Sequence, residues 1–400
     1  EIITTTTPLE RNRVAVTFDV FEGPKALIEK INFVGNVFFS DDELRDEMGL
    51  KSPGRINIFK GPLEYSKQKL EGDQETIRSL YLDNGYADFL IESTQVQLSP
   101  DREQVFITMS FSEGDKFVFD SISMAGDTVV SIEDLFQLVD IIPGEVFSRK
   151  RLTDLSQKIT DRLGEDGYAN ATVNPVPEKD VESSRIRFTL YVNAGSRVYV
   201  RRIDINGNID TRDEVIRREL RQMEGAWYSI KDINRSKQRL NLLGFFSDVI
   251  INTNSVPGAP DQVDLEVKVV ERMTGNFTVG MGFSSTDKFL LQLGLSQNNF
   301  MGTGNSLGLS VSSGKINETY EIDYTNPYAT DDGVSRTYKL GKRDTDVSSL
   351  VVSAFSTSTS SGSVTFGVPL TEYDRIYYGL GAEATQITLG ANPTAEYAEF

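Results

Sequence analysis

The residue types that carry most enzyme chemistry are missing from this sequence of 400 residues. It contains no histidine and no cysteine, which excludes histidine-based triads, cysteine nucleophiles, disulfides and zinc sites built from nitrogen and sulfur ligands. With 41 basic and 59 acidic residues, the net charge is -18, which is opposite in sign to that of a typical nucleic-acid-binding protein. We therefore expect no catalytic residue, no metal, no cofactor and no nucleic-acid partner.

The remaining patterns with chemical potential fail on their spacing or context. Gly302 and Gly304 suggest a dinucleotide-binding loop, but no helix is predicted to follow them. Residues 308–315 miss the spacing of a phosphate-binding loop by one position. Glu321 and Asp323 alternate with apolar residues, so we place them on the polar face of a strand rather than in a catalytic carboxylate pair.

The distribution of charge divides the chain near Met273. Residues 1–273 carry 80 charged side chains, whereas residues 274–400 carry 20. Of the 32 glycines, 15 lie in the shorter C-terminal part. No segment approaches the roughly 18 consecutive apolar residues of a membrane helix. We therefore expect two architectures in one chain, and we expect any membrane contact to be made by strands.

Residues 1–273 contain a pattern that recurs three times. Each copy opens with alternating apolar residues that end at a turn glycine, as half-buried strands do. These glycines are Gly35, Gly126 and Gly207. A helix start follows with the spacing of a capping box or its aspartate variant. The pairs are Ser40 with Glu43, Ser131 with Asp134, and Thr211 with Glu214.

A second helix and two strands complete each copy. In the middle copy, the inward positions of this helix are Leu152, Leu155, Ile159 and Leu163. The helix ends in the three copies at Gly85-Tyr86, Gly167-Tyr168 and Gly244-Phe245, and the last strands close at Glu113, Ala194 and Glu271. The predicted order is strand, helix, helix, strand, strand. Residues 11–23 repeat the closing strand, so we expect the chain to begin inside a further copy.

The C-terminal part alternates with period two. Apolar residues on one face alternate with glycine, serine, threonine or acidic residues on the other, as in Phe277–Phe283 and Leu291–Leu295. Tyrosines lie near segment ends, where interfacial aromatics are found. At roughly 18 residues per strand and turn, residues 274–400 supply about seven strands, fewer than the eight of the smallest bacterial barrel. A soluble sandwich shows similar alternation, but the small polar second face favours part of a transmembrane barrel.

Several segments carry a family resemblance. They are residues 71–87 (EGDQETIRSLYLDNGYA), 217–227 (RRELRQMEGAW), 256–264 (VPGAPDQVD), 298–304 (NNFMGTG) and 325–328 (TNPY). The repeat resembles the POTRA domain, and the whole chain resembles the family that joins POTRA domains to a sixteen-stranded outer-membrane barrel.

The resemblance implies α+β tandem POTRA repeats, each with the order β-α-α-β-β, followed by the N-terminal strands of an antiparallel transmembrane β-barrel. The expected domains are the tail of a second POTRA in residues 1–23, a third in 24–115, a fourth in 116–196, a fifth in 197–273, and about seven barrel strands in 274–400. On this interpretation the chain is part of a longer one.

The resemblance further implies a non-enzymatic protein that assembles and inserts β-barrel proteins into the outer membrane of Gram-negative bacteria. The implied partners are unfolded outer-membrane proteins, periplasmic lipoproteins of the assembly complex and outer-membrane lipid. The implied location is the outer membrane, with residues 1–273 in the periplasm.

The strand after each helix pair is predicted to lie at a sheet edge, where unpaired N–H and C=O groups can accept a client strand by β-augmentation. Because backbone pairing does not depend on side chains, it suits many clients. The edge that we select in the third POTRA consists of Asp88, Phe89, Leu90, Ile91, Glu92, Ser93, Thr94, Gln95, Val96 and Gln97. The alternative is a solvated edge that Asp88 and Glu92 protect from pairing.

The first barrel strand is the predicted seam at which the barrel opens. It consists of Gly275, Asn276, Phe277, Thr278, Val279, Gly280, Met281, Gly282 and Phe283. Gly280 and Gly282 weaken a strand, which favours separation from the closing strand. The alternative is that these glycines only accommodate barrel curvature.

By resemblance the fifth POTRA docks a lipoprotein, and Arg217, Arg218 and Glu219 are the predicted contacts. The alternative is an exposed helix surface with charges paired at i,i+4 spacing. For the whole chain, the competing function is a two-partner secretion translocator of the same superfamily. A periplasmic enzyme is disfavoured by the missing histidine and cysteine, and a passive porin needs no arm of 270 residues.

Overall fold

The computed structural model describes residues 2–9, 13–20, 26–52, 64–285, 288–346 and 355–389. The chain forms two compact units. The first comprises Glu1–Leu163 and Asn170–Gly195, and the second comprises Gly164–Ala169 and Ser196–Phe400. No helix in the described ranges is both long and apolar enough to cross a membrane.

The first unit begins with a two-stranded hairpin. β1 (Ile2–Leu9) pairs antiparallel with β2 (Arg13–Val20). β2 lies in the segment predicted as the closing strand of a further repeat, and the rest of that prediction, residues 11, 12 and 21–23, lies outside the described residues. β1 was not predicted, because a run of four threonines at 4–7 shows no apolar alternation.

Three β-α-α-β-β repeats follow, two of them in the first unit. The first contains β3 (Leu27–Val34), α1 (Asp41–Glu47), α2 (Lys67–Asp83), β4 (Leu90–Leu98) and β5 (Gln104–Ser112). The second contains β6 (Val118–Asp127), α3 (Ile132–Phe136), α4 (Arg149–Glu165), β7 (Thr172–Asp180) and β8 (Arg185–Asn193). The third contains β9 (Tyr199–Asn206), α5 (Asp213–Arg217), α6 (Ile230–Leu242), β10 (Phe246–Val256) and β11 (Ala259–Glu271).

Each repeat folds into a three-stranded sheet with its last strand in the centre. The strand orders are β3-β5-β4, β6-β8-β7 and β10-β11-β9. The central strand pairs parallel with the first strand of the repeat and antiparallel with the second. This confirms the predicted element order, and it places the second strand of every repeat at a sheet edge.

The turn glycines are required by close approach to the central strand. Their φ angles are positive, at 91°, 103° and 90° for Gly35, Gly126 and Gly207. A Cβ at these positions would collide with the carbonyl oxygen of Phe111, Val192 and Val269, respectively. A larger residue would therefore separate the first strand from the centre of the sheet, which explains why glycine recurs.

A glutamate at the end of the central strand fastens this turn in two of the repeats. The Glu113 carboxylate accepts hydrogen bonds from the N–H groups of Val37 and Phe38 at 2.8 and 3.1 Å. In the third repeat, Glu271 accepts from three successive N–H groups, those of Ile209, Asp210 and Thr211, at 3.1, 2.9 and 2.7 Å. The second repeat has Ala194 at this position and therefore has no such carboxylate.

Two of the three predicted helix caps are confirmed. Ser40 forms a full capping box with Glu43, and Ser131 accepts from the Asp134 N–H at 3.2 Å. The prediction for Thr211 is wrong, because α5 has Arg212 as its N-cap without a side-chain hydrogen bond. The Thr211 hydroxyl is instead bonded to a side chain of the C-terminal sheet, described below.

The four inward positions predicted for the middle helix are all buried: Leu152, Leu155, Ile159 and Leu163. The glycines predicted to end the second helices, Gly85, Gly167 and Gly244, have positive φ angles. These local sequence signals therefore determine which face of the middle helix is buried and where each second helix ends.

The described strands of residues 274–400 form a seven-stranded antiparallel sheet in sequential order. They are β12 (Gly275–Ser284), β13 (Lys288–Phe300), β14 (Asn305–Ser313), β15 (Asn317–Asn326), β16 (Ser335–Asp346), β17 (Phe355–Pro369) and β18 (Arg375–Leu389). Every predicted period-two segment lies in one of these strands. The parts of the predicted barrel region at 286–287, 347–354 and 390–400 lie outside the described residues.

Candidate functional site

The predicted client edge largely coincides with β4, which pairs with β5 on one side and with no other described strand on its second side. Thr94 of this strand bonds to Gln74 of α2 at 3.0 Å, so its side chain faces the helical layer. Val96 and Leu98 share that face and remain exposed. A strand added at this edge would therefore continue both the hydrogen-bond ladder and a partly uncovered apolar surface.

The predicted edge begins two residues before the strand does. Phe89 is buried and stacks on Tyr81 with ring centroids 4.0 Å apart. Asp88 forms an ion pair with Lys179 of the second repeat. These two residues therefore serve the packing of the first unit, and the exposed edge starts at Leu90.

The edges of the first two repeats differ in the hydrogen-bond donors that they offer. β7 carries Pro175 and Pro177, each of which lacks a backbone N–H. The cross-strand partners of these prolines are Leu190 and Phe188. The corresponding residues of the first repeat are Thr94 and Val96, opposite Met109 and Ile107. β4 therefore offers hydrogen-bond donors where the neighbouring edge has none.

In the second unit, four arginines of the third repeat converge on the turns of the seven-stranded sheet. Glu372, in the turn between β17 and β18, accepts hydrogen bonds from Arg221 Nη2, Arg235 Nε and Arg239 Nη1, all at 3.1 Å. Arg218 lies over the ring of Tyr328, with the guanidinium carbon 4.2 Å from the centroid. We call these six residues the junction cluster.

Burial strengthens the electrostatic interactions among the residues of the junction cluster. Burial, and next the nearby Glu219 carboxylate, raises the pKa of the Tyr328 hydroxyl. Burial lowers the pKa of Arg218, whose Nε and Nη2 have no hydrogen-bond partner in the described part of the chain. Tyr328 also accepts from Arg239 Nη2 at 3.0 Å. The motif at 325–328 therefore has a structural role at the junction.

The three residues predicted to contact a lipoprotein occupy different environments. Arg217 is exposed and forms an i,i+4 ion pair with Asp213 at 2.5 Å. Arg218 is directed at Tyr328. Glu219 is buried and pairs with Arg239 at 2.6 Å. Burial argues against direct partner contact by Glu219, and among the three only Arg217 remains a surface candidate.

A second connection joins the third repeat to the turn between β13 and β14. Asn299 Nδ2 donates to the Thr211 hydroxyl at 2.8 Å, and Asn299 Oδ1 accepts from the Gly304 N–H at 2.8 Å. The Arg212 N–H, at the N-cap of α5, donates to the Gly302 carbonyl at 2.9 Å. Gly302 has a φ of 71°, and a Cβ there would collide with the Asp210 carbonyl oxygen. The glycine-rich motif at 298–304 is thus a docking turn.

The predicted seam strand, β12, lies at the end of the seven-stranded sheet and pairs only with β13 among the described strands. Phe277, Val279, Met281 and Phe283 are exposed on one face. At its start, Thr274 accepts from the Gln297 side chain at 2.9 Å. A Cβ at Gly280 would lie 3.5 Å or more from the atoms of Gln292 on β13, and a Cβ at Gly282 would lie 3.9 Å or more from those of Leu290. Close approach to these neighbours therefore does not require glycine at either position.

The sequence interpretation did not identify Glu372, Arg235, Arg239 or Asn299 as functional candidates. The only local signal was the position of Glu372 in a turn between two alternating segments. Acidic residues are common in turns, so this position did not mark Glu372 as functional. In the described ranges, no group of three or more acidic side chains is placed to hold a metal ion.

Family models match most of the chain. POTRA, described as the surface antigen variable number repeat, matches residues 26–114, 117–195 and 198–272. The Omp85 superfamily domain matches residues 299–400.

The chain is similar to outer-membrane assembly factors. It is 36% identical to the outer membrane protein assembly factor BamA of Neisseria meningitidis over 98% of this chain and 50% of that protein. It is 29% identical to BamA of Buchnera aphidicola over 80% of this chain and 52% of the relative. The chain thus spans about half the length of these curated relatives.

Solved structures agree with this similarity. BamA from Haemophilus ducreyi lacking POTRA domains 1–3 superposes with a TM-score of 0.59 at 33% identity, covering 68% of this chain and 52% of that one. POTRA3–5 of Haemophilus influenzae BamA gives a TM-score of 0.54 at 33% identity, covering 62% of this chain and 96% of that one.

These similarities confirm the fold class and the location predicted from the sequence, with POTRA repeats in the periplasm and barrel strands in the outer membrane. The chain belongs to the family in which POTRA repeats precede an Omp85 superfamily barrel domain.

Proposed function

We propose that the protein assembles β-barrel proteins into the bacterial outer membrane by backbone pairing and without covalent catalysis. The relatives named as outer membrane protein assembly factors support this function. The observation that carries the mechanism is the free edge of β4, which has no proline and has exposed apolar side chains on its helix-side face.

Unfolded outer-membrane proteins are the clients in this proposal. Their common feature is strand alternation rather than a sequence motif, and an added strand needs only main-chain donors and acceptors. Val96 and Leu98 would contact alternate apolar side chains of the client. The two prolines of β7 direct the client to the first described repeat rather than to the second.

The barrel strand β12 is the second pairing site in the proposal. It is the terminal strand of the described sheet, and Gly280 and Gly282 leave two positions of the strand without a side chain to pack. Its exposed N–H and C=O groups would template the first strand of a client. The exposed surface around Arg217 is the candidate docking site for a periplasmic lipoprotein of the assembly complex.

Depletion of the full-length protein in cells tests the function. Quantitative proteomics should show many unrelated outer-membrane barrels decreasing together. Loss of a single exported protein, with other barrels unchanged, would instead assign the chain to the two-partner secretion translocators.

Site-specific photocrosslinking tests the client edge. A photoreactive residue at Gln95 should capture unfolded clients, whereas the equivalent position in β7, Val176, is the matched control. Gln95 lies opposite Thr108 and Val176 lies opposite Thr189, so both probes occupy the same place in their repeats. Equal capture at the two positions would contradict the assignment of β4.

A further inference from the structure

Three large apolar side chains are almost fully exposed around the start of β12. Ile209 is 90% exposed, Met273 95% and Met301 75%. They come from three separate segments: the turn after β9, the link between β11 and β12, and the turn between β13 and β14. Exposure of one such residue needs no explanation, but three around one strand end indicate an unoccupied contact surface.

The backbone around these residues is firmly held. The Ile209 N–H donates to the Glu271 carboxylate at 3.1 Å. Met301 precedes Gly302, whose carbonyl accepts from the Arg212 N–H at 2.9 Å. Ile209 and Met301 line one cavity of about 440 Å³. The two side chains therefore lie together on an ordered surface.

This surface continues the lipid-facing side of the first two barrel strands. Phe277, Val279, Met281 and Phe283 of β12 are exposed, and their partners across the strand pair are the apolar residues Leu295, Leu293, Leu291 and Phe289. Ten residues separate Met273 from Phe283. That distance is about 34 Å along an extended strand and about 26 Å along the membrane normal at a tilt of about 40°.

An outer-membrane barrel has an apolar band about 25 Å tall. If Phe283 lies at one boundary of that band, then Met273 lies at the other, which is the boundary on the side of the POTRA repeats. Arg272, beside Met273, is exposed, and a cation next to an apolar anchor suits the level of lipid phosphates.

We propose that Ile209, Met273 and Met301 form a membrane-contacting patch that inserts into the periplasmic leaflet beside the seam strand. The ligand is the phospholipid bilayer, through acyl chains near the headgroup boundary. The patch fixes the third repeat at the membrane surface next to β12. This proposal does not depend on which polypeptides the protein handles.

A client polypeptide is the competing occupant. It is disfavoured because the patch is made of isolated side chains from three turns and links, and these segments present no free strand edge for pairing. Lipid needs no such edge, and methionine adapts its shape to mobile acyl chains.

Depth-dependent fluorescence quenching tests the proposal on the full-length protein. Single substitutions Ile209→Cys, Met273→Cys and Met301→Cys are labelled with a small fluorophore in a cysteine-free background. The proteins are reconstituted in vesicles of phosphatidylethanolamine and phosphatidylglycerol whose acyl chains are brominated near the headgroup. We expect quenching of at least twofold at all three positions, relative to unbrominated vesicles.

Met223→Cys is the matched control. Met223 is 64% exposed in the same repeat, and Gln222 Nε2 donates to the carbonyls of both Met223 and Trp227. Trp227 stacks on Tyr199, at the opposite end of β9 from Ile209. We expect no quenching at Met223.

Two results would overturn the proposal. Labels at the three positions that are quenched only by aqueous iodide would show that the patch faces water. Labels that are not quenched by brominated lipid, but that become shielded from aqueous iodide when an unfolded outer-membrane protein is added, would show that the patch binds polypeptide. Both readouts come from mildly substituted, folded protein, so neither depends on a loss of function.

Discussion

Glu372 and Arg239 are 133 residues apart in the sequence and share a hydrogen bond of 3.1 Å between Oε1 and Nη1. The same Arg239 pairs with the buried Glu219 of its own repeat. One arginine thus connects the interior of the third described repeat, β9 to β11, to a turn of the barrel sheet. The connection fixes the repeat relative to the strands that follow it.

Removing the Glu372 carboxylate should loosen this junction. In Glu372→Gln, three arginines lose their shared anion, and their partly buried charges are left with weaker partners. We expect a loss of about 1–2 kcal/mol in unfolding free energy, at the low end for a charge-assisted contact because Glu372 is partly exposed. Denaturant titration of the full-length protein in detergent measures it.

The control for this variant is Asp332→Asn, which makes the same change of net charge. Asp332 lies at the same cavity as Glu372, and it is exposed. We expect a change within about 0.5 kcal/mol for this variant. Equal losses in the two variants would attribute the effect to net charge rather than to the arginine contacts.

The turn held by Glu271 should weaken in acid. Burial alone would raise the pKa of this carboxyl group, but hydrogen bonds from Thr211, Asp210 and Ile209 outweigh it and hold the pKa below its ordinary value of 4.5. A group with a lowered pKa stabilises the fold above its unfolded-state pKa, and this contribution disappears as the pH falls through the folded-state value. The loss therefore begins below about pH 4.5.

Hydrogen exchange measures the weakening of this turn directly, because the N–H groups of Ile209 and Asp210 donate to the Glu271 carboxylate. Their protection, corrected for intrinsic exchange, should fall below pH 4.5 in the native protein. In Glu271→Gln it should be low already at pH 7 and nearly independent of pH. Glu182→Gln, in an exposed turn, is the control and should leave both amides unchanged.

The repeat could be predicted from sequence because its signals are local. The turn glycines, the Ser40 capping box and the apolar spacing of Leu152 to Leu163 each involve residues within a few positions of one another. The local signal is weaker in β16, because Arg336 and Lys342 share a face with Tyr338 and Leu340 and interrupt its apolar pattern.

The junction could not be predicted because it depends on distant pairs. Thr211 has the spacing of a helix cap, yet its hydroxyl accepts a hydrogen bond from Asn299, which is 88 residues away in the sequence. Glu219 belongs to a charged segment that resembles a solvated face, and only the fold reveals its burial. Such residues lie where two separately encoded elements meet, and neither element carries the signal alone.

Substitutions at Asn299 and Thr211 should have energetically coupled effects on stability. Asn299→Ala leaves the Gly304 N–H and the Thr211 hydroxyl without their buried partner, and we expect a cost of about 1–3 kcal/mol. Thr211→Val removes the other half of the pair. The double variant should cost less than the sum of the single variants by about 0.5–1.5 kcal/mol, as measured in a double-mutant cycle.

Strict additivity of the two changes would contradict the contact. Thr319→Val is a suitable second partner for the control cycle, because Thr319 lies on β15, outside the turn that docks on α5. Combined with Asn299→Ala, it should give additive losses.

Prolines in β4 should close the client edge without unfolding the first repeat. Thr94 and Val96 occupy the positions that Pro175 and Pro177 hold in β7, judged from their partners on the central strand. Since β7 pairs with β8 through both prolines, the N–H at each position is not needed inside the sheet and faces the open edge. Thr94→Pro with Val96→Pro therefore removes two outward donors.

We expect the double-proline variant to reduce client capture at a Gln95 photocrosslinker by several fold, with far-ultraviolet circular dichroism unchanged. The reciprocal variant, Pro175→Thr with Pro177→Val, should increase capture at Val176, because it restores two donors to the edge of β7. An increase in capture by the reciprocal variant is a gain of function, which loss of folding does not produce. Unchanged capture in both variants would mean that clients are held through side chains rather than through the backbone of these edges.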